Sequence, residues 1–112
     1  MERNITAERV AENESVFREA NERIRVRASE LDFDSTVPFL CECGDPQCHE
    51  IVRLPPADYE RVRKSGTSFL VAPGHDRAEG PSSRVRERRD GYAIVEKVDE
   101  AGDVARSLDP RH

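Results

Sequence analysis

The run from Cys41 to Cys48 constrains the fold most, because it holds all three cysteines of the chain within eight residues. A Gly-Asp-Pro sequence separates the second cysteine from the third. Clustered thiolates with a turn between them suit a tetrahedral zinc site. We therefore predict that a zinc ion holds this part of the chain together.

The spacing of the cysteines indicates how they would meet. Residues two apart in a strand face the same side, so Cys41 and Cys43 can both face a metal where a strand ends. Gly44 permits an unusual backbone angle, and the Asp-Pro pair that follows favours a turn that returns Cys48 to the same point. Three reduced thiols without metal remain the alternative. An iron–sulfur cluster lacks a fourth cysteine, and a disulfide fits poorly with an odd count.

Three cysteines leave one tetrahedral position for a histidine. His75 follows an apolar run and a Pro-Gly turn, which can hold an imidazole at the end of a strand. His49 adjoins Cys48, and neighbouring side chains diverge in extended backbone. His112 ends a polar segment and would cost ordering entropy. We predict His75 as the fourth ligand, with His49 as the alternative.

Two resemblances support this ligand set. The pattern Cys41-x-Cys43-Gly44-x-x-x-Cys48 resembles the post-SET zinc motif of SET-domain methyltransferases, which implies three local ligands and one distant ligand. The resemblance covers eight residues, and no methyltransferase signature surrounds it. The chain also resembles short, uncharacterised bacterial proteins over most of residues 17 to 97, and this implies one compact domain with the same three cysteines and His75 as its metal site. The shared frame consists of residues 21–24, 39–43, 48, 59–60, 73–75 and 91–92.

The composition favours a domain that needs a cross-link. A chain of 112 residues forms one domain. Its residues are 36% hydrophobic and 37% charged, which predicts a thin core. Zinc binding would supply stability that apolar burial does not, because binding energy becomes folding energy in small domains.

Charge and hydropathy indicate which binding partners and which cellular location to expect. A net charge of −5 argues against general nucleic-acid binding. No apolar stretch approaches the length of a membrane span, and the first residues lack a signal-peptide core. We expect a cytoplasmic protein without membrane contact, because thiols stay reduced and available to metal there.

The periodicity predicts one long helix at the N-terminus, over residues 6–31. Val10, Phe17, Ile24 and Leu31 recur every seven residues. Thr6 is the predicted N-cap, with a staple between Ile5 and Val10. The narrow apolar stripe would pack on the sheet of its own domain, or pair with a partner protein or a second copy as a homodimer.

The remainder predicts a small antiparallel sheet of four or five strands with a zinc knuckle. A short helix starts at Pro55-Pro56, and Asp90-Gly91 is a strong hairpin signal whose first strand is a charged edge. The fold class is α+β, with one domain over residues 1–98 and a polar tail over 99–112 that we expect to be disordered. The zinc-bearing sheet spans 37–98, with strands predicted at 37–41, 49–54, 68–72, 84–88 and 92–98 and a loop at 76–82.

These features predict a zinc-stabilised binding or regulatory module that acts through protein–protein contact. The sequence contains no phosphate-binding Gly-rich loop and no nucleophile elbow. One alternative is a zinc-dependent enzyme, with an open metal position and Glu42 or Glu50 as acid or base. Another is a nucleic-acid-binding accessory protein, and oxidation of the thiolates could make the site redox-sensitive. The nucleic-acid alternative depends on a local basic edge made by Arg84, Arg86, Arg88 and Arg89.

Overall fold

The computed structural model describes residues 7–32, 35–45, 47–75 and 83–111, with side chains from residue 12 onward. It has the predicted α+β class, with a long N-terminal helix and small antiparallel sheets. The predicted cap and staple at residues 5–10, the loop at 76–82 and His112 lie outside the described side chains. The elements are α1 (Ala7–Glu30), β1 (Val37–Leu40), β2 (Ile51–Leu54), α2 (Pro56–Val62), β3 (Ser68–Val71), β4 (Ser83–Arg89), β5 (Tyr92–Lys97) and α3 (Asp99–Ser107).

The five strands form two sheets, so the prediction of a single sheet is wrong. β1 and β2 make an antiparallel pair, and the other strands form a sheet in the order β3-β5-β4. The chain changes partner directly after β1. The amide of Cys41 donates to the carbonyl of Glu50, whereas the amide of Glu42 donates to the carbonyl of Leu70 in β3. The cysteine segment therefore joins the two sheets.

The hairpin at Asp90-Gly91 is confirmed. Arg89 lies opposite Tyr92, and Gly91 has a φ of +92°, which a glycine adopts without strain. β4 is an edge strand of its sheet, as its charged sequence predicts. An irregularity between Val85 and Glu87 interrupts its register.

The docked face of α1 is polar, which the apolar stripe does not predict. Phe17 and Ile24 are half-buried and Leu31 is 59% exposed, so the stripe lies at the edge of the contact. Burial of this face is possible because Arg18 and Asn21 form hydrogen bonds, and Glu14 an ion pair, with other parts of the protein. The buried residues of this face are Glu14, Ser15, Arg18, Asn21 and Ala28.

Arg18 anchors the middle of α1. Its guanidinium donates to the carbonyl oxygens of Gly66 (2.6 Å) and Ala105 (2.7 Å), and it lies 4.5 Å from the ring centre of Phe69. Two hydrogen bonds and a cation–π contact offset the cost of burying this charge. Burial lowers the pKa of Arg18, and the nearby charge of Arg63 adds to the effect.

The prediction of a disordered tail at 99–112 is wrong for its described part. Residues 99–107 form α3, and Ala101 and Ala105 are fully buried. Alanines four residues apart share one helix face, and their small side chains allow close packing. The domain therefore extends beyond residue 98 to at least Arg111.

A group of charged residues, here called the Arg63 cluster, holds the C-terminal segment. The guanidinium of Arg63 is fully buried and donates to Glu22 in α1 and to Asp109 beyond α3. Arg111 donates to Glu22 (2.6 Å) and to Glu60 in α2 (3.0 Å). The cluster thus connects α1, α2 and the C-terminus.

The apolar core lies under β1 and β2 and along β3 and β5. Phe39 of β1 stacks on Tyr59 of α2, with ring centres 4.6 Å apart. Within the described residues no helix is long and apolar enough to cross a membrane.

Candidate metal centre

The structure brings the four predicted ligands together from three places in the fold. Cys41 and Cys43 lie directly after β1, Cys48 lies shortly before β2, and His75 follows β3. Their ligand atoms all lie within 4.8 Å of one another. All three cysteines are free, so the donors are thiols. This arrangement is able to hold a metal ion.

The distances from His75 to two of the sulfurs fit a tetrahedral ion. The Nδ1 atom of His75 lies 3.7 Å from the Sγ atom of Cys41 and 3.5 Å from that of Cys48. Zinc bonds of about 2.3 Å to sulfur and 2.0–2.1 Å to nitrogen give a tetrahedral edge of about 3.6 Å. The two measured distances agree with that edge within about 0.1 Å.

Two glycines shape the turns that present the ligands. Gly44 follows the second cysteine with a φ of +84°, and Gly74 precedes His75 with a φ of +85°. These left-handed conformations favour glycine. Hydrogen bonds from the amide of Cys48 to the carbonyl of Asp45, and from the amide of His75 to that of Ala72, both 3.0 Å long, close the turns.

Crowding of the thiols perturbs their acidity. A hydrogen bond from the Cys41 thiol lowers the pKa of Cys43 to about 5. The same contact, together with burial, raises the pKa of Cys41. The amide of Ala72 donates to the Cys41 sulfur over 3.2 Å. The contact thus favours the thiolate form of Cys43, and thiolates are the form that binds metal.

His49, the alternative fourth ligand, is exposed and does not belong to the cluster. Side chains of adjacent residues in extended backbone point to opposite sides, which accounts for the absence of His49 from a cluster that contains Cys48. Glu50 is exposed as well.

Glu42 lies between two ligands and is fully buried, yet its carboxylate is engaged elsewhere. One oxygen accepts from the amide of Leu70 (2.9 Å), and the other accepts from Tyr59 (2.7 Å) and Asn21 (2.7 Å). Burial raises the pKa of Glu42, and these hydrogen bonds oppose the rise without cancelling it. The sequence singles out Glu42 only as an acid or base for an open zinc, and its structural role was missed. Its position between two cysteines was the available signal, because alternate residues face opposite sides.

Asn21 connects α1 to this strand. Its amide nitrogen donates to the carbonyl of Leu40 (2.8 Å), and its oxygen accepts from the amide of Leu40 (2.8 Å). The side chain therefore satisfies the free edge of β1 as another strand would. No local pattern predicts this contact, since the two residues lie in different elements.

Comparison of the chain with protein-family models, with curated proteins and with solved structures finds no match. The chemistry of the site is therefore derived from its donor atoms and their arrangement.

Proposed function

We propose that Cys41, Cys43, Cys48 and His75 bind one structural zinc ion, and that the chain is a small binding module for a partner protein. The convergence of four donor atoms within 4.8 Å carries the proposal. The ligands follow or precede strands of both sheets, so an ion here would cross-link the two sheets.

The donor set favours zinc in a structural role. Thiolates and an imidazole in tetrahedral array are the ligands of zinc sites, whereas magnesium and calcium prefer oxygen. Four protein ligands leave no open position for a water or a substrate. Both oxygens of Glu42 already accept hydrogen bonds, so a general base next to the metal would have to come from elsewhere. These points weigh against the alternative of a zinc-dependent enzyme.

A groove between α1 and β1, here called the α1–β1 groove, suits a partner segment. It has a volume of about 350 Å³. Its rim carries Arg23 and Arg27, whose described ion pairs are with exposed glutamates of the same helix (3.6 and 3.3 Å). Exposed pairs of this kind contribute little and exchange easily. The floor is apolar and consists of Ile24, Ala28, Leu31, Val37 and Pro38.

Charge decides which partner fits. The chain has a net charge of −5, yet the rim of this groove is basic. A partner segment with apolar side chains flanked by Asp or Glu would bury the floor and pair with the rim. A second copy of this acidic chain would meet general repulsion. We therefore assign the groove to an acidic amphipathic segment of another protein.

The metal is tested by titration of reduced, metal-free protein with zinc. We expect one equivalent to bind tightly, and His75→Ala to lower affinity and thermal stability far more than the matched variant His49→Ala. Folded protein that binds no zinc would refute the site. Damage from His49→Ala but not from His75→Ala would show that the fourth ligand is wrong.

The groove is tested by selecting peptides from a random displayed library on the zinc-loaded protein. We expect selected peptides to combine apolar anchors with carboxylates and to lose binding to Leu31→Glu and Arg27→Glu. Val16→Glu is the matched control, because Val16 is 64% exposed and does not line the groove. Basic peptides, or none, would refute the assignment. A concentration-dependent dimer abolished by Leu31→Glu would assign the groove to a second copy instead.

The basic edge of β4 gives less support to nucleic-acid binding. Arg84 pairs with Glu96 (3.6 Å), and Arg89 pairs with Glu87. The carboxylates of Glu87 and Glu96 lie among these arginines, so this surface carries charges of both signs, whereas a phosphate backbone is bound best by a continuous positive surface.

A further inference from the structure

A buried lysine lines the same small space as Cys43 and His75. The side chain of Lys97, the last residue of β5, is 3% exposed. Its ammonium donates to the hydroxyl of Ser83 (2.6 Å) and lies 3.0 Å from a carboxylate oxygen of Glu14 in α1. Lysine is rarely buried so completely unless it has a role or a partner inside the protein.

A small space is lined by this lysine and by two of the predicted metal ligands. Its volume is about 10 Å³, which is at the lower limit for one water molecule. The lining residues are Glu14, Cys43, Val71, His75, Ser83, Val95 and Lys97.

The charges of the two groups complement each other. A zinc ion with three thiolates and a neutral imidazole carries a net charge of about −1. A buried negative centre is costly unless a positive group or hydrogen-bond donors lie near it. An ammonium has three donors, and the contacts to Ser83 and Glu14 use two of them.

We infer that Lys97 is a positioning residue of the metal centre, in which its ammonium offsets the charge of the thiolates and Glu14 and Ser83 hold it in place. The inference rests on the proposed zinc site and deepens it. Glu14 belongs to α1, so the contact also makes the docking of this helix part of the metal environment. The effect acts through Cys43 and His75, since Lys97 itself is not a ligand.

The test compares Lys97→Met with Lys64→Met. These are the only two lysines of the chain, and Lys64 is exposed, so the pair is matched in chemistry. Zinc affinity is measured by competition with a chelator. We expect Lys97→Met to bind zinc about 10- to 100-fold more weakly than the wild type, as for other outer partners of metal ligands. Lys64→Met should bind like the wild type.

Cobalt substitution separates this role from a general loss of stability. The sulfur-to-cobalt charge-transfer bands report the electron density on the thiolates, and a merely structural defect would leave them unchanged. We expect the bands of Lys97→Met to move to longer wavelength, because the sulfurs lose a nearby positive charge. Equal zinc affinity and unchanged bands in the folded variant would overturn the inference.

Two further outcomes are decisive. Should Lys97→Met fail to fold even with zinc, Ser83→Ala takes its place, since it keeps the charge pair and removes the hydroxyl that orients the ammonium. A band shift and weaker affinity in Ser83→Ala would support the inference, and wild-type behaviour would overturn it. A wild-type protein that binds neither zinc nor cobalt would overturn both the inference and the proposed site, whereas normal binding by every variant would overturn the inference alone.

Discussion

The candidate metal centre and the Arg63 cluster bring separate parts of the same small domain together by opposite means. Three of the four predicted ligands lie within eight residues, whereas the Arg63 cluster joins residues from α1, α2 and the C-terminus. The candidate metal centre gathers three thiols and an imidazole that could hold a metal ion, while the cluster pairs permanent guanidinium charges with carboxylates. A local motif can therefore be recognised in the chain, and a distributed ion pair cannot.

The two regions meet on adjacent residues of α1. Asn21 bonds the strand that carries the first two cysteines, and Glu22 pairs with Arg63 and Arg111. The helix α1 therefore contacts both regions, so a change in one region can alter the stability of the other.

Removal of the metal should have the largest effect. Cys43→Ser, or addition of a strong chelator, is expected to abolish zinc binding and to release the junction between the sheets. Structural zinc contributes roughly 10–16 kcal/mol of apparent binding free energy in small zinc-dependent domains, more than any single contact here. Thermal unfolding with and without zinc checks this. A chelated protein with unchanged melting temperature would show that the core suffices.

Loss of the central cation of the other region should rank second. Arg63→Met leaves the carboxylates of Glu22 and Asp109 without their buried partner, which we expect to cost about 3–5 kcal/mol. Denaturant unfolding with zinc present measures the loss. The control is Arg53→Met, because Arg53 is exposed in β2. Zinc affinity should change little, and a large drop would mean that the two regions are more strongly coupled than the contacts indicate.

Glu42→Gln should have an intermediate effect, since it alters the connection between the regions. The new amide would present a donor to Asn21, Tyr59 or Leu70, which are all donors to Glu42, so we expect a loss of about 1–3 kcal/mol. The pH dependence gives a second check. Burial raises the pKa of Glu42, so the wild type binds this proton more tightly when folded and loses stability as the pH rises through the raised pKa. The variant should lack that loss, and parallel stability curves would contradict the prediction.

Protonation of the carboxylates of the Arg63 cluster should have the smallest effect, and its pH range should separate the two regions. Burial acts to raise the pKa of Glu22, but hydrogen bonds from Arg111 and Arg63 outweigh it and lower the pKa. Hydrogen bonds from the Arg111 amide and Arg63 lower the pKa of Asp109 against its burial in the same way. The stability from these carboxylates is present above their usual pKa values, and it is lost as the pH falls through the lowered ones.

The acid experiment follows α3 and the metal centre separately by NMR. Protonation of thiolates releases zinc, so we expect the metal centre to respond at a higher pH than the C-terminal segment. Glu22→Gln should remove part of the later transition and leave the metal release in place. A single transition at both regions would show that they unfold as one unit.

The hairpin at Asp90-Gly91 and the cysteine cluster were predictable because their signals are local. A turn sequence restricts backbone angles, and a short ligand spacing restricts where a chain can place its sulfurs. The disordered tail was predicted wrongly for the opposite reason. The small residues Ala101 and Ala105 carry little apolar signal, and their burial depends on a helix face about 80 residues earlier in the chain.

The sequence by itself determined the fold class, the hairpin and the local clustering of three cysteines, because each depends on residues close together in the chain. The tertiary structure decided which face of α1 is buried, how the strands divide into two sheets, and that Glu42 and Lys97 are buried. Those outcomes depend on polar groups that are buried only when a distant partner satisfies them. Arg18 shows the reason. Its charge predicts a solvent-facing side chain, but in the folded protein the carbonyls of Gly66 and Ala105 accept its hydrogen bonds and allow its burial.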